Sequence, residues 1–191
     1  MMRPFPVEFS VSAAGCIAAA LMVLVLPLPW LAAVAVAAII HEGCHLLCLK
    51  LCRICVYRIH VGLHGAAIQT AALSPTQELV CAAAGPVGSF LCLAFTQSCP
   101  LLALCGFLQG IYNLIPVYPL DGGRILHAGA ELLIPKHAES ICKFFSRYTI
   151  AGIFITCAAL YFRTFRPFFL LIAGYFLFGT VLSRKTPCKE G

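Results

Sequence analysis

The stretch WLAAVAVAAIIHEGCHLLCLKL, residues 30–51, combines a long apolar run with two histidines and a glutamate within five positions. A helix needs about 20 predominantly apolar residues to cross a bilayer. Ionisable groups inside such a segment are costly and are usually retained for function. The stretch therefore predicts a membrane-spanning helix in which His41, Glu42 and His45 carry the chemistry.

These three residues form the pattern His41-Glu42-Gly43-Cys44-His45. Positions i and i+4 share one face of a helix, so two imidazoles can bind the same metal ion. Glu42 is rotated by about 100° from His41, which places its carboxylate beside the ion as a base for a bound water. Zinc lowers the pKa of such a water and polarises a carbonyl group. The pattern therefore predicts metal-assisted hydrolysis of a peptide bond.

The composition agrees with a membrane setting. Apolar residues are 61% of the chain and charged residues 10%, against about 45–50% and about 25% in soluble domains. The mean hydropathy is +0.96. A net charge of +6 often indicates a nucleic-acid partner, but the 13 Lys and Arg residues are scattered between apolar stretches. We therefore expect the lipid bilayer as the surrounding medium and no nucleic acid as a partner.

Six apolar segments are predicted to be transmembrane helices. They cover about residues 11–26, 30–51, 75–95, 101–115, 144–162 and 167–182. With the N-terminus inside, only Arg163 and Arg166 of the basic residues fall on the outer side. Such an excess of Lys and Arg in cytoplasmic segments follows the positive-inside rule. The sequence thus predicts a multi-pass protein of the cell membrane with both termini in the cytoplasm.

A small β element is predicted between the second and third spans. Residues Val56–Ala72 alternate in polarity and include Gly62 and Gly65, which favours a hairpin or a re-entrant strand. The predicted fold class is thus an all-α polytopic membrane protein of six helices with this one β element. A single domain is expected over residues 1–183, followed by a short cytoplasmic tail, 184–191.

The third span has a recognisable start. Ser74 is a suitable N-cap, Pro75 suits the first helical position, and Gln77 completes a capping box. We therefore expect this helix to begin at Pro75.

A second motif supplies a candidate for a further metal ligand. Catalytic zinc sites usually hold three protein ligands and a water, so two histidines leave the site one ligand short. Asp121 lies in the segment NLIPVYPLDGG, residues 113–123, where Pro116 and Pro119 interrupt the helix. An extended segment of this kind can carry the carboxylate to a metal on another helix. The alternative is that the segment is only a turn.

Two other groups of potential ligands are less specific. His60 and His64 are also four residues apart, but the neighbouring glycines favour a loop or hairpin position for them. Cys52 and Cys55 form a CxxC pair without the second pair that a structural zinc site needs. Many of the twelve cysteines lie within apolar runs, where cysteine behaves as a small hydrophobic residue. We therefore expect reduced thiols.

The combination of HExxH in one span with N-x-x-P-x-x-P-L-D-G in a later span resembles the site-2 protease family of intramembrane zinc metalloproteases. Within that family it is most similar to the stage IV sporulation protein FB branch. Ala84–Pro86 in the third span extends the likeness. The resemblance implies that His41, His45 and Asp121 bind one zinc ion and that Glu42 is the catalytic acid and base.

The resemblance also implies how substrate is bound. Asn113, Pro116 and Pro119 would help to place it, and the hairpin Val56–Ala72 would pair with an unwound substrate segment by strand addition. The implied partner is a membrane-associated or transmembrane protein, such as a pro-sigma factor, an anti-sigma factor or a remnant signal peptide. Membrane inhibitor proteins are compatible with this family, and the oligomeric state is left open. The CBS domain usual in the sporulation branch and the PDZ domain of other members are not expected here.

The main alternative is a metal-binding membrane protein without protease activity, such as a transporter or an inactive scaffold. A carrier needs metal ligands but no general base. Glu42 therefore favours the protease.

Overall fold

The computed structural model describes residues 7–62 and 65–164, together with Gly174. The chain divides into two compact units, Met1–Tyr112 and Asn113–Gly191. Helices predominate among the described residues of both units, and a small sheet belongs to the first. The helical prediction is confirmed, as is the presence of a small β element.

The first unit combines helices with a three-stranded sheet. In chain order its elements are β1 (Glu8–Val11), α1 (Ala13–Val25), α2 (Leu28–Leu51), β2 (Val56–Gly62), β3 (Gly65–Thr70), α3 (Pro75–Leu91), a 3-10 turn (Cys92–Phe95) and α4 (Pro100–Asn113), which ends at the boundary of the unit.

Helix α2 has one buried row and one apolar, exposed face. The buried residues recur at nearly every turn, which is the spacing expected of a single helical face; they are Ala33, Ala37, His41, His45 and Leu49. The large apolar side chains on the other side are exposed, as expected of a surface that meets lipid; they include Val36, Ile39, Leu47 and Leu51. Helix α2 therefore buries its two histidines and exposes apolar side chains on its other side.

Helix α3 begins where the sequence predicts. The Ser74 side chain accepts from the Gln77 backbone N–H, and the Gln77 side chain accepts from the Ser74 N–H, so the capping box is complete. Small residues line the side of α3 that faces α2. A Cβ added at Gly88 would collide with Cys44 of α2. Small residues allow two helix backbones to approach closely, as is common in membrane proteins.

The sheet has the strand order β1-β2-β3. Strands β2 and β3 are antiparallel, so the predicted hairpin is confirmed. Strand β1 pairs in parallel with β2, with Ser10 opposite His60. It was not predicted, because a strand of four residues carries little periodicity and its pairing is far away in sequence. Residues 63–64, and with them the predicted position of His64, lie outside the described residues.

The second unit begins with turns and continues into helices. Residues 114–120 form bends and turns, followed by α5 (Asp121–Leu133), a 3-10 turn (Pro135–His137) and α6 (Ala138–Thr164). Helix α5 was not predicted, since it is short and includes polar residues such as Arg124 and Glu131. Its sequence therefore lacks the long apolar run that is typical of a membrane-spanning helix.

Within the part of the chain that the structure describes, three helices are long and apolar enough to cross a membrane: Leu28–Leu51, Pro75–Phe95 and Pro135–Thr164. They correspond to the second, third and fifth predicted spans. The first and fourth predictions correspond to α1, with 13 residues, and α4, with 14 residues, which are shorter than the roughly 20 that a full span needs. The sixth, about residues 167–182, lies outside the described residues apart from Gly174. The count of six spans is therefore not confirmed.

Candidate metal centre

The two histidines of α2 face each other inside the first unit. His41 is 2% exposed and His45 is 6% exposed. Their Nε2 atoms are 3.3 Å apart, and the two ring planes are inclined at 82°. The predicted pairing of the two imidazoles on one helix face is therefore present in the structure.

Helix α3 fixes the orientation of both rings through their Nδ1 atoms. His45 Nδ1 lies 2.7 Å from the carbonyl oxygen of Cys81. Because a carbonyl can only accept, Nδ1 donates and Nε2 carries the lone pair. His41 Nδ1 lies 2.8 Å from the hydroxyl of Ser89, which is fully buried. Metal-binding histidines usually make such a bond with the second ring nitrogen, because it fixes the ring and its tautomer.

The spacing of the two Nε2 atoms fits a tetrahedral zinc ion. Zinc binds imidazole nitrogen at about 2.0–2.1 Å, so two nitrogens on one tetrahedral ion are about 3.3 Å apart. Gly85 of α3 makes room for this arrangement. A Cβ at that position would collide with Nε2 of His45 and would lie 2.8 Å from Cε1 of His41. A glycine is therefore required beside the two rings.

Glu42 connects this centre to the sheet. Its side chain is half-buried, and its Oε1 accepts from the backbone N–H of Ala66 at 3.4 Å. Ala66 belongs to β3, the outer strand of the described sheet on that side. The carboxylate is thus directed at the edge of β3 and comes from the residue next to a candidate ligand. A base in this position can act on a peptide that lies along the strand.

The second motif builds a tight turn at the start of the second unit. Asp121 is the first residue of α5, and its side chain is buried, at 6% exposure of the residue. A carboxylate is stabilised at a helix N-terminus by the helix dipole. Its Oδ1 lies 3.6 Å from Nη1 of Arg124. The motif therefore holds a carboxylate in a defined position.

Two glycines allow the chain to fold back on itself there. A Cβ on Gly122 would collide with the Leu114 carbonyl, and one on Gly123 would lie 2.6 Å from the Tyr118 nitrogen. The Tyr118–Pro119 peptide bond is cis, and the Ser146 hydroxyl donates to the Pro116 carbonyl at 3.2 Å. Helix α4 ends at Asn113 and α5 begins at Asp121, so the expected break in the helix at the prolines is present.

The predicted site residues divide between the two units. His41, Glu42 and His45 lie in the first unit, whereas Asn113, Pro116, Pro119 and Asp121 lie in the second. Each motif is intact within its own unit.

Sequence reasoning missed the α3 contribution to the centre. The HExxH pattern itself does not indicate three features of α3: the Ser89 hydroxyl, the Cys81 carbonyl and the space at Gly85. The regular spacing of small residues along α3, at Cys81, Gly85 and Ser89, is the signal that could have indicated a helix packed closely against the histidines.

Two comparisons with known proteins bear on this site. Residues 84–155 match the model of Peptidase family M50. The matched segment begins in α3, includes Asp121 and ends in α6. His41 and His45 lie outside it, so the HExxH motif and the family match are separate observations. A search of curated proteins returns no match.

The fold is similar to that of a solved structure, the Site-2 Protease from Methanocaldococcus jannaschii. The TM-score is 0.67, the sequence identity is 18%, and the alignment covers 100% of this chain and 97% of that chain. At this identity the likeness concerns the fold alone. The family match and the fold together support the resemblance drawn from the two motifs, without distinguishing one branch of the family from another.

Proposed function

We propose that this chain is an intramembrane zinc metalloprotease that hydrolyses a peptide bond within or near the membrane segment of a protein substrate. The observation that carries the proposal is the pair of Nε2 atoms of His41 and His45, held 3.3 Å apart, together with the carboxylate of the adjacent residue, Glu42, which accepts from the Ala66 N–H of β3. A carrier would need the two ligands but not this base.

His41, His45 and Asp121 would hold one zinc ion. Two imidazoles and one carboxylate are a donor set typical of catalytic zinc sites, in which a fourth position is kept for water. Asp121 lies in the segment matched by the peptidase family model, and it is a buried acid. When bound, zinc supplies Lewis acidity toward the carbonyl and makes the attacking water more acidic.

Glu42 is the proposed acid and base. Its carboxylate accepts a proton from the attacking water as the oxygen adds to the carbonyl carbon. The same proton then passes to the amine nitrogen as the C–N bond breaks, so that Glu42 is returned to its starting state. Proton transfer by a positioned side chain contributes about 10²–10⁴-fold to a rate.

Substrate would bind as an added strand along β3. A helical membrane segment must be unwound before its peptide bond can be attacked, and its N–H and C=O groups then need partners in a dry environment. Strand addition supplies those partners. The contact between the Ala66 N–H and Glu42 supports this assignment, because it places the edge of β3 beside the proposed base. Asn113, Pro116 and Pro119 are proposed to position the substrate further.

The setting is proposed to be the cell membrane, crossed by six helices with both termini in the cytoplasm. The asymmetric distribution of Lys and Arg supports that orientation. Processing of a pro-sigma factor during sporulation is proposed from the likeness to the stage IV sporulation protein FB branch. Membrane inhibitor proteins would regulate such an activity.

The test compares wild type with Glu42→Gln, each co-expressed with a membrane-tethered candidate substrate. We expect cleavage to fall by at least about 10²-fold while the zinc content of the purified protein is unchanged. Glu131→Gln is the matched control, since Glu131 is an exposed acid on α5 whose ion-pair partner is His127. Persistent cleavage in Glu42→Gln would refute the assigned role.

The ligand assignment has its own test. Zinc per chain, measured by mass spectrometry on protein purified in detergent, should fall in Asp121→Ala and remain at one in Glu131→Ala. Undiminished zinc in Asp121→Ala would remove Asp121 from the ligand set.

A further inference from the structure

Three cysteine side chains converge next to the histidine centre. Cys48 lies three residues after His45 on α2, Cys52 caps the C-terminus of the same helix, and Cys81 lies opposite on α3. Their three Sγ atoms are all within 4.8 Å of one another. The Sγ atoms of Cys48 and Cys81 are 3.3 Å apart.

These distances suit one metal ion bound by three sulfurs. Metal–thiolate bonds of about 2.3 Å hold three sulfurs of a trigonal site about 4 Å apart. The Cys48–Cys81 separation is shorter than that value and the other two separations are at most 4.8 Å, so small side-chain rotations are enough to reach it. Cys48 and Cys52 are also four residues apart, as His41 and His45 are, and therefore share a helix face.

The number and type of ligands select the kind of ion. Among the described residues, the group contains three thiols and no fourth donor. Structural zinc sites take four ligands, whereas thiolates alone favour soft ions, of which copper(I) accepts three-coordination. We propose that Cys48, Cys52 and Cys81 form a second metal site, which binds one soft monovalent cation of the copper(I) class. Each thiol releases its proton as its sulfur binds, so three protons leave for each ion.

The surroundings of the cluster are compatible with that charge. Three thiolates and one monovalent cation carry a net charge of −2. Lys50 and Arg53 flank Cys52 in the sequence, at the end of α2 where the helix is expected to leave the bilayer. Cys81 is only 2% exposed, while Cys48 and Cys52 are half-buried. An ion can therefore reach the site from that end and is then largely shielded from water.

Cys81 belongs to both sites. Its thiol joins the cysteine cluster, while its carbonyl oxygen accepts from Nδ1 of His45. The two centres nevertheless use different ligand atoms. The cysteine site can thus be removed by a side-chain substitution that leaves the backbone bond to His45 in place.

The experiment uses the full chain, purified anaerobically in detergent, and titrates copper(I) in competition with a chromophoric chelator. We expect one copper(I) per chain. Cys48→Ser should weaken copper(I) binding by more than about 100-fold. Even the loss of a group that only orients a metal ligand lowers metal affinity by about 10–100-fold. Cys157→Ser is the matched control, a buried cysteine on α6. Equal affinity of Cys48→Ser and Cys157→Ser would overturn the proposal.

Two further measurements do not depend on the folding of a variant. X-ray absorption at the copper edge of the wild-type protein should give three sulfur ligands, and nitrogen ligands would contradict the site. Mapping of the anaerobic protein should find free thiols, whereas a Cys48–Cys81 disulfide with no copper bound would also contradict it. His41→Ala should lose zinc and keep copper. This result separates failure of the cysteine site from failure of the proposed zinc centre.

Discussion

Helices α2 and α6 are both long and apolar enough to cross a membrane, yet they differ in what they bury. A row along α2 that includes His41 and His45 is buried against its surroundings, whereas α6 buries only Ala138 and Cys157 among its described residues. The difference comes from the neighbour of α2. Helix α3 offers glycine and serine to the histidines, and these residues supply both the space and the hydrogen bond that two polar rings need. Hydropathy alone does not distinguish a helix that holds candidate site residues from one that only crosses the membrane.

Gly85→Ala is expected to have the largest effect on zinc content and cleavage, and it tests the difference between α2 and α6. The added methyl group would occupy the space of the His45 ring, so we expect loss of bound zinc and of cleavage. Overpacking of this kind costs about 1–3 kcal/mol. Zinc content and thermal unfolding in detergent measure the two effects. Gly152→Ala on α6 is the control, because a Cβ there meets no described atom within 4 Å. Similar losses in both variants would mean that α2 and α6 do not differ as described.

A smaller effect is expected from Ser89→Ala. The hydroxyl of Ser89 bonds to Nδ1 of His41, and such outer partners contribute about 10–100-fold to metal affinity. Competition with a zinc chelator measures the change. Thr156→Ala on α6 removes an exposed hydroxyl that bonds only within its own helix, to the Gly152 carbonyl, and should leave zinc affinity unchanged. Unchanged affinity in Ser89→Ala would show that the ring of His41 is held by other contacts.

The smallest effect is expected within the HExxH motif itself. Gly43 is exposed, and a Cβ there meets no described atom within 4 Å. Gly43→Ala should therefore keep its zinc and its cleavage rate. It should also be as stable as wild type or more stable by up to about 1 kcal/mol, since alanine favours a helix. A loss of activity would show that this face of α2 does not simply meet lipid.

Local patterns predicted the parts of the fold that local physics determines. The hairpin at 56–72 follows from alternation and glycine, and the start of α3 follows from the capping box at Ser74. The two imidazoles came together because positions i and i+4 of a helix always do. Asp121 was found as a candidate because acids are rare in this part of the chain, and its role as a ligand stays a prediction.

Contacts between distant parts of the chain could not be predicted in this way. Strand β1 pairs with β2 across about fifty residues, and no feature of the segment Glu8–Val11 indicates this partner. The bond from His41 to Ser89 and the convergence of Cys81 with the two cysteines of α2 depend on how α2 and α3 pack. Helix α5 was missed because a short helix that does not span the bilayer lacks the apolar run that the other helices share.

In the proposed function, this chain hydrolyses peptide bonds with the help of a bound metal. The most direct measurement is cleavage of a membrane-tethered substrate by purified protein before and after removal of metal with a zinc chelator, with a non-chelating isomer of the reagent as the control. We predict that cleavage stops on removal and returns when one equivalent of zinc per chain is added back. Cleavage that continues in protein shown to be free of metal would contradict the account.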